Sequence, residues 1–223
     1  MVITQIHNAL QAKRLLPSQH LVDAGYPSAE LLVRSQSDFG IDLFGPVRPD
    51  VRWQGQDEQA FDITRFQIDW DQQTVTCPIG KTSAGWNPDN KGPRGKPTIQ
   101  INFRRQDCRD CEARAKCTRS RSAPRNLTLH PREQQLALQA ARERQKTDAF
   151  HEIYPLRSGI EGTIGQAVDK LKMRRSRYRG LTKTHFQHLV TAAALNIQRV
   201  LSWLCEQPSS VAYTSHIALL ATG

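Results

Sequence analysis

The spacing of apolar residues changes period twice along this chain, and that change limits what it can fold into. Ile3, Ile6 and Leu10 have a weak helical spacing that ends near Pro17. "HLVDAGY" then predicts a short buried strand with Asp23 at its C-terminal tip, broken by Gly25 and Pro27. Ser28 is placed to cap a helix carrying Glu30, Leu31 and Leu32 in its first turns, and "IDLFGPV" reads as a second strand stopped by Gly45-Pro46. From 47 to 130 the period becomes two. "FDITRFQID" and "TVTCPI" alternate as strands joined by a turn at Trp70 to Gln73, and "TIQINF" alternates again. The basic stretch "KTSAGWNPDNKGPRGKP" between them reads as a Gly/Pro-rich loop. After Pro131, a good first-turn residue, helical spacing returns with Leu136, Ala140 and Ala141. It continues through Ile160, Ile164, Ala167, Val168 and Leu171. Phe186, Leu189, Val190, Ala193, Ile197, Val200, Leu201 and Leu204 predict a packed amphipathic helix of about five turns.

The expected organisation is therefore an α/β part at 1–46, a β-rich insertion at 47–130, a helical part at 131–205 and an unpatterned tail at 206–223. The chain of 223 residues is long enough to bury a core. Its 31 Lys+Arg against 21 Asp+Glu, a formal charge of +10, point to nucleic acid as partner. No apolar run suits a membrane span, the N-terminus lacks a signal-peptide layout, and no Gly-rich nucleotide loop occurs.

Four of the five cysteines, Cys77, Cys108, Cys111 and Cys117, follow a C-x30-C-x2-C-x5-C pattern. Cys108 and Cys111 have zinc-knuckle spacing, and "CPIG" supplies a tight turn for a first ligand, so a four-thiolate Zn²⁺ site stands beside the alternative of four reduced thiols. Cys205 on the final helix reads as a core residue. Trp86 could stack on DNA or fold against the insertion. His185 and His188 are given no role.

Glu161 has two readings. Ser158-Gly-Ile-Glu161 fits a capping box, with Arg157 as its i,i+4 ion-pair partner. Its surroundings favour chemistry instead. Lys170, Lys172, Arg174, Arg175, Arg177, Arg179 and Lys183 crowd into 170–183 around Tyr178, in a pattern suited to phosphate contacts and stacking.

"YPLRSGIEG" with its basic follow-on and "HLVDAGY" upstream resembles the C-terminal half of DDE transposases of bacterial insertion sequences. "CPIGK", "CRDCEARAKC" and "ALNIQRVL" look like one subgroup of them. The resemblance implies a partial RNase H-like catalytic fold interrupted by the β-rich, candidate zinc-binding insertion. It implies DNA strand cleavage and transfer with Mg²⁺ or Mn²⁺, on double-stranded transposon ends and target, in the bacterial cytoplasm at the nucleoid. In that family a Tyr-x2-Arg-x3-Glu-x6-Lys signature surrounds the last catalytic carboxylate, and Tyr154, Arg157 and Glu161 match it. Val168 stands at the lysine position, so Lys170 or Lys172 would substitute. Asp23 matches the second catalytic Asp. Two divalent ions about 4 Å apart stabilise attacking and leaving oxygens in such a reaction, and hard cations want carboxylate oxygens.

Residues 1–22 contain no Asp or Glu. The expectation is a truncated or split transposase, inactive alone, that depends on an upstream transposase segment or a second copy. The competing expectation is a zinc-stabilised DNA-binding or interaction protein whose carboxylates are structural.

Overall fold

A computed structural model describes residues 2–205, which divide into two compact units, one ending at Pro155 and the other starting at Leu156. The first unit opens with helix α1 (Val2–Ala12), strand β1 (Gln19–Leu21), helix α2 (Ala29–Phe39) and strand β2 (Asp42–Phe44). β1 and β2 pair in parallel, Gln19 opposite Asp42 and Leu21 opposite Phe44. A parallel pair needs a crossover, and α2 provides it. Ser28 caps α2 by accepting from the Leu31 N–H at 3.3 Å. Gly40, at φ +68°, ends it in the left-handed conformation, and the following Ile41 N–H reaches back to Ser35 O.

The insertion begins with short helix α3 (Trp53–Gln56) and the 3₁₀ turn Ile63–Arg65. The strand expected across 61–69 is thus confined to β3 (Gln67–Asp69), because Asp62 accepts from the Thr64 N–H and starts a turn instead. β3 pairs antiparallel with β4 (Thr74–Thr76). The expected loop at 81–97 is corrected by the fold: residues 85–89 form strand β5 (Gly85–Asp89), despite Pro88. β5 pairs with β6 (Thr98–Asn102), which pairs in turn with β7 (Asn126–Leu129). Between β6 and β7 lie the short helices α4 (Arg105–Arg109) and α5 (Arg114–Cys117), which carry the cysteine cluster.

Helix α6 (Arg132–Arg144) returns to α2, and α7 (Asp148–Ile153) follows. Ile3, Val22, Leu31, Leu32, Leu43, Val47 and Ala141 form one core. Ile63, Phe66, Val75, Ile101, Phe103, Leu127 and Leu129 form the other, inside the insertion. Arg144 ties α6 to β2: its Nη1 donates to both Asp42 carboxylate oxygens at 2.7 and 2.9 Å, and Nη2 donates to Leu43 O at 3.1 Å.

The second unit holds α8 (Ser158–Asp169) and α9 (Leu181–Leu204), reached through the 3₁₀ turn Tyr154–Arg157. α9 has the expected helical form but not the expected packing. Only Thr191 and Leu195 are buried, while Phe186, Val190, Ile197 and Leu201 are each more than half exposed. Cys205, expected in the core, is an exposed residue at the end of α9. No helix among the described residues is long and apolar enough to cross a membrane. The tail from 206 lies outside the described residues.

Candidate nucleic-acid and metal site

Asp23 follows β1 after Val22, whose N–H donates to Phe44 O at 2.9 Å and so carries the strand pairing one residue further. Asp23 itself is exposed. Its Oδ1 accepts from the Ala24 N–H at 2.8 Å, and its carbonyl accepts from the Tyr26 N–H at 3.0 Å. The tight turn beside it depends on Gly45, where a Cβ would lie 2.4 Å from Val22 O. Two structural features thus fix where the Asp23 backbone leaves the sheet.

Tyr154 is tied to the same place. Its ring stacks on Phe150 at 5.3 Å, and Phe150 stacks on Phe44 at 4.9 Å. The Arg144 guanidinium lies 4.6 Å from the Phe44 ring centroid. An aromatic stack therefore leads from Tyr154 to the end of β2, whose backbone holds Val22 next to Asp23. The residue pattern contained no signal for this stack beyond the presence of Phe44 and Phe150.

Glu161 lies in the first turn of α8. Arg157 Nη2 donates to Glu161 Oε1 at 3.0 Å, and the Glu161 side chain stays two-thirds exposed. Arg157 occupies the position preceding the helix and Ser158 is its first helical residue, so Ser158 does not stand at the N-cap that the capping-box reading assigned to it.

The basic residues leave the helix. α8 ends at Asp169, Lys170 follows it as the cap, and Lys172, Arg174, Arg175, Arg177 and Arg179 sit on the segment joining it to α9, with Lys183 in the first turn of α9. Lys170, Lys172, Arg175, Arg177 and Tyr178 line a concavity of about 710 Å³ with Phe186 and Gln187. Gln187 shapes it: Oε1 accepts from the Arg177 N–H at 3.2 Å, and Nε2 donates to Arg175 O at 3.2 Å. Ser176 Oγ donates to Tyr178 O at 2.9 Å. Neither residue stood out in the sequence.

All four insertion cysteines line one cavity. Burial pushes the Cys117 thiol up to about 11, and Cys108, Cys77 and Cys111 add to the shift while Arg125 opposes it. Among the described residues, no three His, Cys, Asp or Glu side chains are close enough together to hold a metal ion. Trp86 packs against the insertion core, edge-on to Trp70 at 5.5 Å.

A family model described as a transposase DDE domain matches residues 76–201. The chain belongs to the DDE transposase domain family. The matched segment of this transposase domain includes the four cysteines, Tyr154, Arg157, Glu161 and the basic cluster, and Asp23 lies before it. Its mixed α/β fold is consistent with an RNase H-like member of that superfamily. No curated protein and no solved structure matches the chain.

Proposed function

We propose that this DDE transposase domain acts in DNA transposition, with Asp23 and Glu161 as ligands of one Mg²⁺ or Mn²⁺ ion and the 170–183 cluster holding DNA phosphates. The observation that carries this reading is the span of the family match, which takes in the Tyr154, Arg157, Glu161 signature together with the cationic concavity. The stack from Tyr154 to the strand bearing Asp23 supports it, because it draws the start of the signature toward the second carboxylate. The donor set suits a hard cation: two exposed carboxylates offer oxygens and leave room for retained waters. When bound, such an ion activates a water or 3′-hydroxyl oxygen and stabilises the leaving oxygen. Arg157 orients Glu161 and offers a charge for an adjoining phosphate. Lys170 or Lys172 takes the place of the signature lysine. Tyr178 stacks or bonds to the strand, and Arg174, Arg175, Arg177, Arg179 and Lys183 neutralise its backbone.

Residues 1–22 offer no acidic side chain to complete a three-carboxylate centre. We infer that the 223-residue chain tested alone binds DNA but does not cut it. Binding should weaken of order 10³-fold between about 50 and 200 mM salt if about six phosphates are engaged. Affinity unchanged over that range contradicts the phosphate surface, and metal-dependent nicking abolished by Glu161→Gln contradicts inactivity alone.

A second reading is favoured by one observation, the gathering of Cys77, Cys108, Cys111 and Cys117 around a single cavity. It makes the insertion a zinc-stabilised DNA-binding module. The zinc site is compatible with the first reading too, as a structural Zn²⁺ closing the insertion.

A further inference from the structure

Resting on that structural-zinc reading, we propose that Arg125 is the buried counter-charge of a four-thiolate zinc site and sets how tightly the site holds its ion. The cavity shared by the four cysteines is about 30 Å³, the room one small ion or water takes up, and its walls include Phe61, Phe66 and Phe103. Cys77 already has the turn of a zinc knuckle. The Gly80 N–H donates to Cys77 O at 2.8 Å and the Lys81 N–H to Cys77 Sγ at 3.3 Å, with Gly80 at φ +81°. An N–H aimed at sulfur favours the thiolate over the thiol. Arg114 fixes the opposite side by donating to the carbonyls of Cys108, Ser120 and Ala123.

Arg125 lines the same cavity, and its Nε is fully buried with no hydrogen-bond partner. A buried guanidinium N–H left unpaired is costly, and a neutral thiol is a weak acceptor for it. Among the charged groups around it, Cys117 acts on it most strongly, ahead of Arg52, Asp50 and Asp62. Zn²⁺ with four thiolates carries a formal charge of −2, and its sulfurs are good acceptors. The orphaned N–H and the excess negative charge therefore answer each other. Binding consists of four deprotonated sulfurs closing on the ion, each releasing one proton to solvent, with no change of oxidation state. Groups that hydrogen-bond to a metal's ligands typically change affinity by about 10–100-fold when removed.

The test uses the full chain, with zinc content by elemental analysis and affinity by chelator competition. Wild type is expected to hold about one zinc per chain, as the four-ligand stoichiometry requires, and Cys108→Ser to lose it. Arg125→Gln should still take up zinc but at least tenfold more weakly, and Arg125→Lys should recover part of that loss. A wild-type chain free of zinc overturns the zinc reading itself. Zinc held equally tightly by wild type and Arg125→Gln overturns the role of Arg125 alone. Should Arg125→Gln not fold, the wild-type Arg125 Nε–H resonance decides: it must shift and become protected on zinc loading, and a resonance that zinc leaves unmoved contradicts the inference.

Discussion

The ring of Phe150 stacks on that of Phe44 at 4.9 Å, and this one contact joins α7 to the end of β2. Because Phe150 also stacks on Tyr154, the signature segment is moored to the strand pair that delivers Asp23. Phe150 is 6 % exposed, so Phe150→Ala should cost about 3–5 kcal/mol of stability in the first unit, the usual loss for a buried phenylalanine. Urea denaturation of the two chains measures it. A loss below about 1 kcal/mol would mean the stack does not hold that corner together.

Glu161 behaves differently if it is a ligand rather than a cap. Its visible partner is one exposed ion pair with Arg157, a kind of contact worth about 0.3–0.5 kcal/mol on a helix surface. Glu161→Gln should therefore leave the melting temperature and metal-free DNA binding nearly unchanged, while removing metal-dependent behaviour. A melting temperature lowered as far as that of Phe150→Ala would instead assign Glu161 a structural task.

Acid should weaken the first unit through a histidine pair. His7 Nε2 and His20 Nδ1 lie 2.9 Å apart, and His7 also packs edge-on to Phe39. Burial, and then His20, holds His7 below its ordinary 6.5, and burial holds His20 down as well. The folded state thus binds fewer protons than the unfolded chain. The stability this contributes is full above pH 6.5 and is lost as pH falls through the lowered folded-state values. Denaturation midpoints should fall between about pH 7.5 and 5.5, and less so in His20→Gln, which keeps an acceptor but removes one titrating ring. A midpoint that rises over that range contradicts the assignment.

Local signals made part of this legible from residues alone. Ser28 and Gly40 mark the ends of α2 in the sequence because capping is chemistry of single residues. The parallel strand pair and the cysteine cluster followed from apolar runs and spacing. What stayed hidden depends on partners far away in the chain. Trp86 sits in a stretch rich in Gly and Pro, and only pairing with Ile101 across β6 makes it part of a strand. Arg125 reads as one more surface cation until the cavity that buries it is seen. α9 shows the reverse: its apolar spacing is strong, but periodicity says which face is apolar, not that something covers it.

The claim that matters most is that Asp23 and Glu161 grip one hard cation, and iron-directed self-cleavage tests it most directly. Fe²⁺ loaded in place of Mg²⁺ in the DNA-bound chain, then treated with ascorbate and peroxide, cuts the backbone beside the ion. The prediction is a pair of cuts, one near Asp23 and one near Glu161, competed by Mg²⁺ and both lost in either Asp23→Asn or Glu161→Gln. Cuts confined to one of the two places, or a cut near Asp23 that survives Glu161→Gln, would contradict it.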